Sequence, residues 1–136
     1  LAAEASLTRI YKLKGFARFQ RKERISDAAL REAISSVEAG LVDADLGGGL
    51  VKQRLARPGQ GKSGGYRTVI AFRRGDRAVF FYGFAKNERS NIDADELEEF
   101  RRLARGFFEM TAQQIAKLTA EDELTEVTDD DNETKG

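Results

Sequence analysis

The sequence predicts an α+β domain built on an antiparallel sheet, and three observations predict it. Alternation of polar and apolar side chains, the period of a half-buried strand, runs through Thr8–Leu13 and returns at Leu50–Ala56. Two β-rich runs, Tyr66–Arg73 and Ala78–Ala85, flank Arg74-Gly75-Asp76-Arg77, a strong hairpin signal. Helical periodicity lies before and after these strands, so the order is strand, two helices, three or more strands, then helices. Strands that follow one another on short links pair antiparallel.

Each element has its own local cause. After the first strand, Lys14–Arg24 reads as a short, strongly basic helix with Phe16 and Phe19 three residues apart. Ser26 or Asp27 caps a second helix that carries Leu30, Ala33, Ile34, Val37 and Leu41 on one face, and Gly40 sits where helices stop. Asp43–Gly49 reads as a loop. The strand Leu50–Ala56 sets Lys52 and Arg54 on one face and Val51 and Leu55 on the other. Arg57–Gly65 holds four of the thirteen glycines and the only proline, and is a turn or mobile loop. Beyond the hairpin, Asp93 with Glu96 forms a capping-box signature for a helix bearing Leu97, Phe100, Ala104, Phe107 and Phe108. Thr111 with Gln114 repeats that signature before Ile115 and Leu118. Residues 1–6 read as an N-terminal extension, 7–120 as the domain, and 121–136 as an acidic tail expected to be disordered.

Composition removes several chemistries. The 136 residues suit a single domain and include neither cysteine nor histidine. Disulfides, thiolate nucleophiles, imidazole acid–base catalysis and Cys- or His-ligated metals are therefore excluded. No apolar run approaches the roughly 18 residues of a membrane span, and a cytoplasmic location without membrane attachment is expected. The formal net charge of zero conceals an asymmetry: residues 1–77 carry 16 basic against 8 acidic side chains, residues 78–136 carry 7 against 15. A basic body with an acidic end points to a polyanionic partner for the body.

The glycine loop has two false friends. Gly59-Gln60-Gly61-Lys62-Ser63-Gly64 formally matches GxGxxG, but a strand and not a helix follows, so no helix N-terminus can meet a pyrophosphate. Gly61-Lys62-Ser63 ends like a P-loop, yet position 56, where its first glycine belongs, is Ala56. What remains is a glycine-rich turn carrying Lys62 between Arg57 and Arg67, in which backbone amides and a nearby cation can cradle an anion.

Consecutive strand pairing gathers Lys52, Arg54, Arg67 and Arg73 near one face, with Lys62 at its rim and Lys86 and Arg89 following the next strand. Such a cluster binds phosphates, Arg67 projecting toward them, and Tyr66 or Tyr82 can stack on a base. RNA scission by the 2′-hydroxyl needs loss of that proton, charge stabilisation on the phosphorane and protonation of the leaving 5′-oxygen. Arginines can supply the second and a lysine the others; paired carboxylates such as Glu88 and Asp93 are the alternative source. No metal or cofactor is expected, because acidic residues near these cations are few and the tail aspartates lack the spacing of a calcium loop.

The stretch from Lys52 through Arg57-Pro58-Gly59 and Lys62 to Gly64-Gly65-Tyr66-Arg67, followed by Phe84-Ala85-Lys86-Asn87-Glu88-Arg89-Ser90-Asn91, resembles the RelE/HigB-type toxins of bacterial type II toxin–antitoxin modules. The likeness spans Leu7 to about Val127. It implies a microbial-RNase-like domain: an N-terminal helical hairpin packed on a curved antiparallel sheet, with a C-terminal helix. It also implies a ribosome-dependent mRNA endoribonuclease that works without metal, a cognate antitoxin, and contact with operator DNA only through the antitoxin complex. Arg67 matches the family's phosphate-binding arginine, Lys52 and Arg54 its basic pair, and Lys86 its later basic motif. The resemblance thus gives Arg67, Lys86 and Lys62 as catalytic candidates, and Lys52, Arg54, Arg57, Arg73, Arg89 and Tyr66 as RNA-binding ones. Asn87 stands where many members carry another catalytic arginine, and Asp93 where the best-studied type has a tyrosine. Two other expectations stand beside it: a ParE-like inhibitor of DNA gyrase, and a degenerate toxin that only binds its antitoxin.

Overall fold

The computed structural model describes residues 8–55 and 65–128. Within them the chain runs β1 (Arg9–Leu13), α1 (Lys14–Glu23), α2 (Asp27–Glu38), β2 (Ala44–Gly47), β3 (Leu50–Leu55), β4 (Tyr66–Arg73), β5 (Arg77–Ala85), α3 (Ala94–Glu109), α4 (Ala112–Ala120) and β6 (Leu124–Val127). The six strands form one sheet in the order β2-β3-β4-β5-β1-β6. The sheet is mixed and not purely antiparallel: β1 lies parallel to β5, Arg9 opposite Arg77, and every other pair is antiparallel. Adjacency in sequence fixes β2 through β5, which succeed one another on short links. The first strand pairs with β5 across all the intervening helices and strands, so no local signal specifies its direction.

Helices cover both faces. One core joins Phe16, Leu30, Ile34 and Val37 of α1 and α2 to Val51, Leu55, Tyr66, Ile70 and Phe80. The other joins Ala104, Phe107 and Ile115 of α3 and α4 to Leu50, Val69, Val79 and Phe81. Double coverage explains why β5 reads Ala-Val-Phe-Phe-Tyr-Gly-Phe-Ala with almost no polar alternation. The N-terminal pair expected as a hairpin consists of two helices that each pack on the sheet, α1 against β1 and β5, α2 against β3. On the opposite face lie two C-terminal helices, α3 and α4, as the two capping-box signatures predict, where the resemblance alone implied one.

Caps form where the sequence places them. Ser26 Oγ accepts the Ala29 N–H at 3.1 Å, and both capping boxes, Asp93/Glu96 and Thr111/Gln114, are complete. Two boundaries move. The Asp43–Gly49 loop contains β2, and the tail expected from residue 121 contains β6, whose Leu124 and Val127 are buried against the sheet. Leu124 and Val127, three residues apart, enter the two cores on opposite faces of the sheet, and these contacts with the bare edge of β1 outweigh the surrounding carboxylates. Among the described residues no helix is long and apolar enough to cross a membrane.

A polar knot ties the N-terminal elements together. Gln20, 6% exposed, donates to Ile25 O at 2.9 Å and to Asp27 Oδ1 at 2.8 Å, while Lys12 Nζ donates to Gln20 Oε1 at 2.7 Å and to Asp27 Oδ1 at 3.0 Å. Burial pushes the Asp27 carboxyl up, but the bonds from Gln20 and Lys12 outweigh it and hold the group below its ordinary value. Its contribution is therefore complete above the ordinary aspartate range and fades as pH falls through the lower folded value. Asp27→Asn is expected to cost about 1–2 kcal/mol at neutral pH and much less in acid. Urea melts of both proteins between pH 7 and pH 3 check this.

Candidate nucleic-acid interface

Strand register decides which basic residues meet. Arg54 on β3 and Arg67 on β4 are direct cross-strand partners, with Phe84 of β5 opposite Arg67 on its other side. The neighbouring row on the same face is Lys52, Val69 and Tyr82. Tyr82 reaches that row because β5 bulges there: Val69 faces Tyr82, Ile70 faces Phe80, and Phe81 is the extra residue. Leu50 and Val69 pack toward α3, and alternate residues share a face, so Lys52, Arg54 and Arg67 all point to the α3 side.

There they surround a carboxylate. Asp43, between α2 and β2, has Oδ2 at 3.2 Å from Arg67 Nε and 3.8 Å from Lys52 Nζ, and Oδ1 at 3.7 Å from Arg54 Nη2. Its backbone N–H donates to Lys52 O at 3.0 Å, which fixes where the side chain starts. Two of the three separations exceed hydrogen-bond length, so charge more than directed bonding holds the group. Three cations on one carboxylate leave the cluster positive.

Arg67, expected to project toward a phosphate, is 6% exposed. Besides its contact with Asp43, Arg67 has Nη1 at 3.5 Å from Tyr66 O, and the segment after β5 touches the strands on either side of β4. Arg89 Nη1 donates to Tyr82 Oη at 2.9 Å and its Nε to Asn91 O at 2.8 Å, and its guanidinium lies 5.6 Å from the Tyr82 ring centre and 5.8 Å from that of Phe84. At the other end Asn91 Oδ1 lies 3.4 Å from Lys52 Nζ. Arg89 to Asn91 thus spans from β5 to β3, across β4. Arg89 also pairs with Glu96, the capping-box residue of α3. That bond, with the bond to Tyr82, holds Arg89 more firmly protonated than usual, and the same bond, with the Asp93 backbone N–H, holds the Glu96 carboxyl below its ordinary value.

The remaining candidates divide. Lys86 is exposed and its N–H donates to Gly65 O at 3.3 Å, which sets it beside the start of β4, two residues from Arg67. Arg54 is the most open of the three clustered cations. Tyr66 is a correction: it is 1% exposed, on the opposite face, edge-on to Phe19 at 5.5 Å, with its hydroxyl donating to Glu23 at 2.8 Å. Strand alternation turns it away from Arg67, so no base can stack on it. Arg73 shares the face of Arg67 but lies six residues along β4, roughly 20 Å away. It sits 4.5 Å over the Phe108 ring and pairs with Asp76 at 3.5 Å. Arg89 is held by Glu96, Tyr82 and Asn91 O but keeps 29% of its side chain exposed. Asp93 caps α3, and Glu88 lies exposed in the turn after β5. Arg57 and Lys62 lie outside the described residues.

Sequence reasoning missed Asp43 and Asn91. Asp43 stands in a stretch read as loop, and the three glycines after Leu46 hide the short strand that follows it and pairs Ala44 with Lys52. Asn91 shows no signal, since its role arises only from its approach to Lys52, far away in the chain.

No curated protein matches the sequence. A family model described as the RelE toxin of the RelE / RelB toxin-antitoxin system matches residues 8–127, from just before β1 to the last residue of β6. That span takes in every strand and helix described above and the whole Asp43 cluster, so the chain belongs to the RelE toxin family, the toxin side of a toxin–antitoxin pair with an antitoxin as its partner.

Proposed function

We propose that the chain is a ribosome-dependent mRNA endoribonuclease that arrests translation by metal-independent attack of a ribose 2′-hydroxyl on the adjacent phosphodiester. The observation that carries this reading is the convergence of Lys52, Arg54 and Arg67 from two strands on one anionic group. A set of cations that already surrounds a carboxylate can surround a scissile phosphate. In the step proposed, the 2′-oxygen forms a bond to phosphorus, the bond from phosphorus to the 5′-oxygen breaks, the 2′-hydroxyl proton leaves and the 5′-oxygen gains one. Products are a 2′,3′-cyclic phosphate and a free 5′-hydroxyl. Arg67, with Lys52 and Arg54, carries the charge that builds on the phosphorane oxygens, work suited to fixed, partly desolvated cations. Lys86 and Lys62 handle the protons, in place of the absent histidine.

In the free protein Asp43 already occupies the centre of this cluster, which fits an enzyme whose cleavage requires a ribosome to present the message. The antitoxin blocks the toxin in the resting cell, and operator DNA is met only through the toxin–antitoxin complex. The test is primer extension on a message translated in a purified bacterial system. Cuts that appear only when ribosomes occupy the message support the proposal. Intact message with folded toxin overturns it and directs attention to gyrase, checked by a supercoiling assay.

A further inference from the structure

The carboxylate at the centre of the cluster has no evident place in the chemistry above. A general base should be free to take a proton, and Asp43 faces three cations within 3.8 Å. We propose that Asp43 is a built-in competitor for phosphate: it occupies the anion position of this site, and a phosphodiester binds by displacing it.

Geometry and charge support this assignment. Arg54 and Arg67 are cross-strand partners on one face, an arrangement that repels unless an anion lies between them. Asp43 supplies that anion in the free protein. It does so loosely, touching Arg67 at 3.2 Å but standing off Lys52 and Arg54 at 3.8 and 3.7 Å, as expected of a small carboxylate in a space that a larger phosphate group would span. Displacement needs only rotation of the side chain, because the Asp43 N–H stays anchored on Lys52 O. The chain leading into it turns at Gly40, whose φ of 83° frees the helix end from continuing. The consequence is a threshold. An isolated phosphate pays the cost of separating Asp43 from its cations, whereas a message held by many other contacts overcomes it. This inference rests on phosphate being the ligand of the proposed function, but not on cleavage.

The experiment compares wild type, Asp43→Asn and Asp43→Glu in the full chain, without ribosomes. Binding of a fluorescent 2′-O-methyl RNA oligonucleotide, which cannot be cut, is measured by anisotropy, and thermal unfolding is followed with and without inorganic pyrophosphate. With Asp43→Asn, RNA affinity is expected to rise about fivefold at low salt, the gain shrinking as salt increases. Pyrophosphate should raise its midpoint more than that of wild type, since the ligand takes the place of the missing carboxylate; Asp43→Glu should behave as wild type. Weaker binding by Asp43→Asn would overturn the proposal and make Asp43 a positioning residue for Arg67, and unchanged binding would overturn it as well. Should Asp43→Asn fold only when pyrophosphate is added, the proposal stands; should pyrophosphate fail to restore folding, it falls. Tighter pyrophosphate binding without ribosomal cleavage by wild type would sink the nuclease reading and leave this one intact.

Discussion

Replacing Arg67 with alanine is expected to lower ribosome-dependent cleavage by about a hundredfold or more, the usual consequence of removing one preorganised donor from a developing oxyanion. Arg67→Lys should recover little of it, because lysine keeps the charge but not the planar fork that meets two phosphate oxygens at once. Burial sets the condition for this comparison. Arg67 is 6% exposed and its Nε lies 3.2 Å from Asp43. Its removal therefore costs stability as well, about 1–3 kcal/mol for a partly buried ion pair left without one member. Lys52 and Arg54 remain on Asp43, which limits the loss. Primer extension should therefore be read beside a urea melt of each variant. Wild-type cutting by a folded Arg67→Ala protein would remove Arg67 from the site.

The largest effect on stability is expected at Phe16, far from that site. It is 1% exposed, with ring centres 5.7 Å from Phe19 and 5.0 Å from Phe80, and it approaches the backbone of Gly83. A Cβ at Gly83 would come within 2.5 Å of Phe19, so α1 lies so close to β5 that only glycine fits beneath it. Phe16→Ala opens a cavity in a contact with little room to collapse, at a cost of about 4 kcal/mol. Equilibrium urea unfolding measures it directly; a loss under 1 kcal/mol would mean that α1 adds little to the core. Because α1 lies on the opposite face from the Asp43 cluster, a variant that still folds should keep its affinity for RNA.

Much of this protein is local and therefore legible in its sequence. The hairpin around Arg74–Arg77, the caps at Ser26, Asp93 and Thr111, and the grouping of Lys52 with Arg54 each depend on residues within a few positions of one another. The sharing of one face by Lys52, Arg54 and Arg67 follows from consecutive antiparallel strands, while the register that sets Arg54 opposite Arg67 does not. The missed features depend on chain that is remote or out of phase. The parallel insertion of β1 beside β5 and the capture of Leu124–Val127 as an edge strand satisfy sheet edges that sequence does not display. The bulge at Phe81 changes the face of every residue after it and brings Tyr82 under Arg89.

What the sequence determined by itself is therefore the inventory: four of the six strands, the helices, a basic face, and a chain with neither histidine nor cysteine. Tertiary structure alone decided the state of that face. Tyr66 was turned into the core by alternation, Arg73 was carried to the far end of β4, Arg89 was bound to Glu96, and Asp43 was set among three cations. The physical reason is range. Propensities and caps act over a few residues, whereas an ion pair takes whichever charge the fold brings within about 4 Å, however far away it lies in the chain.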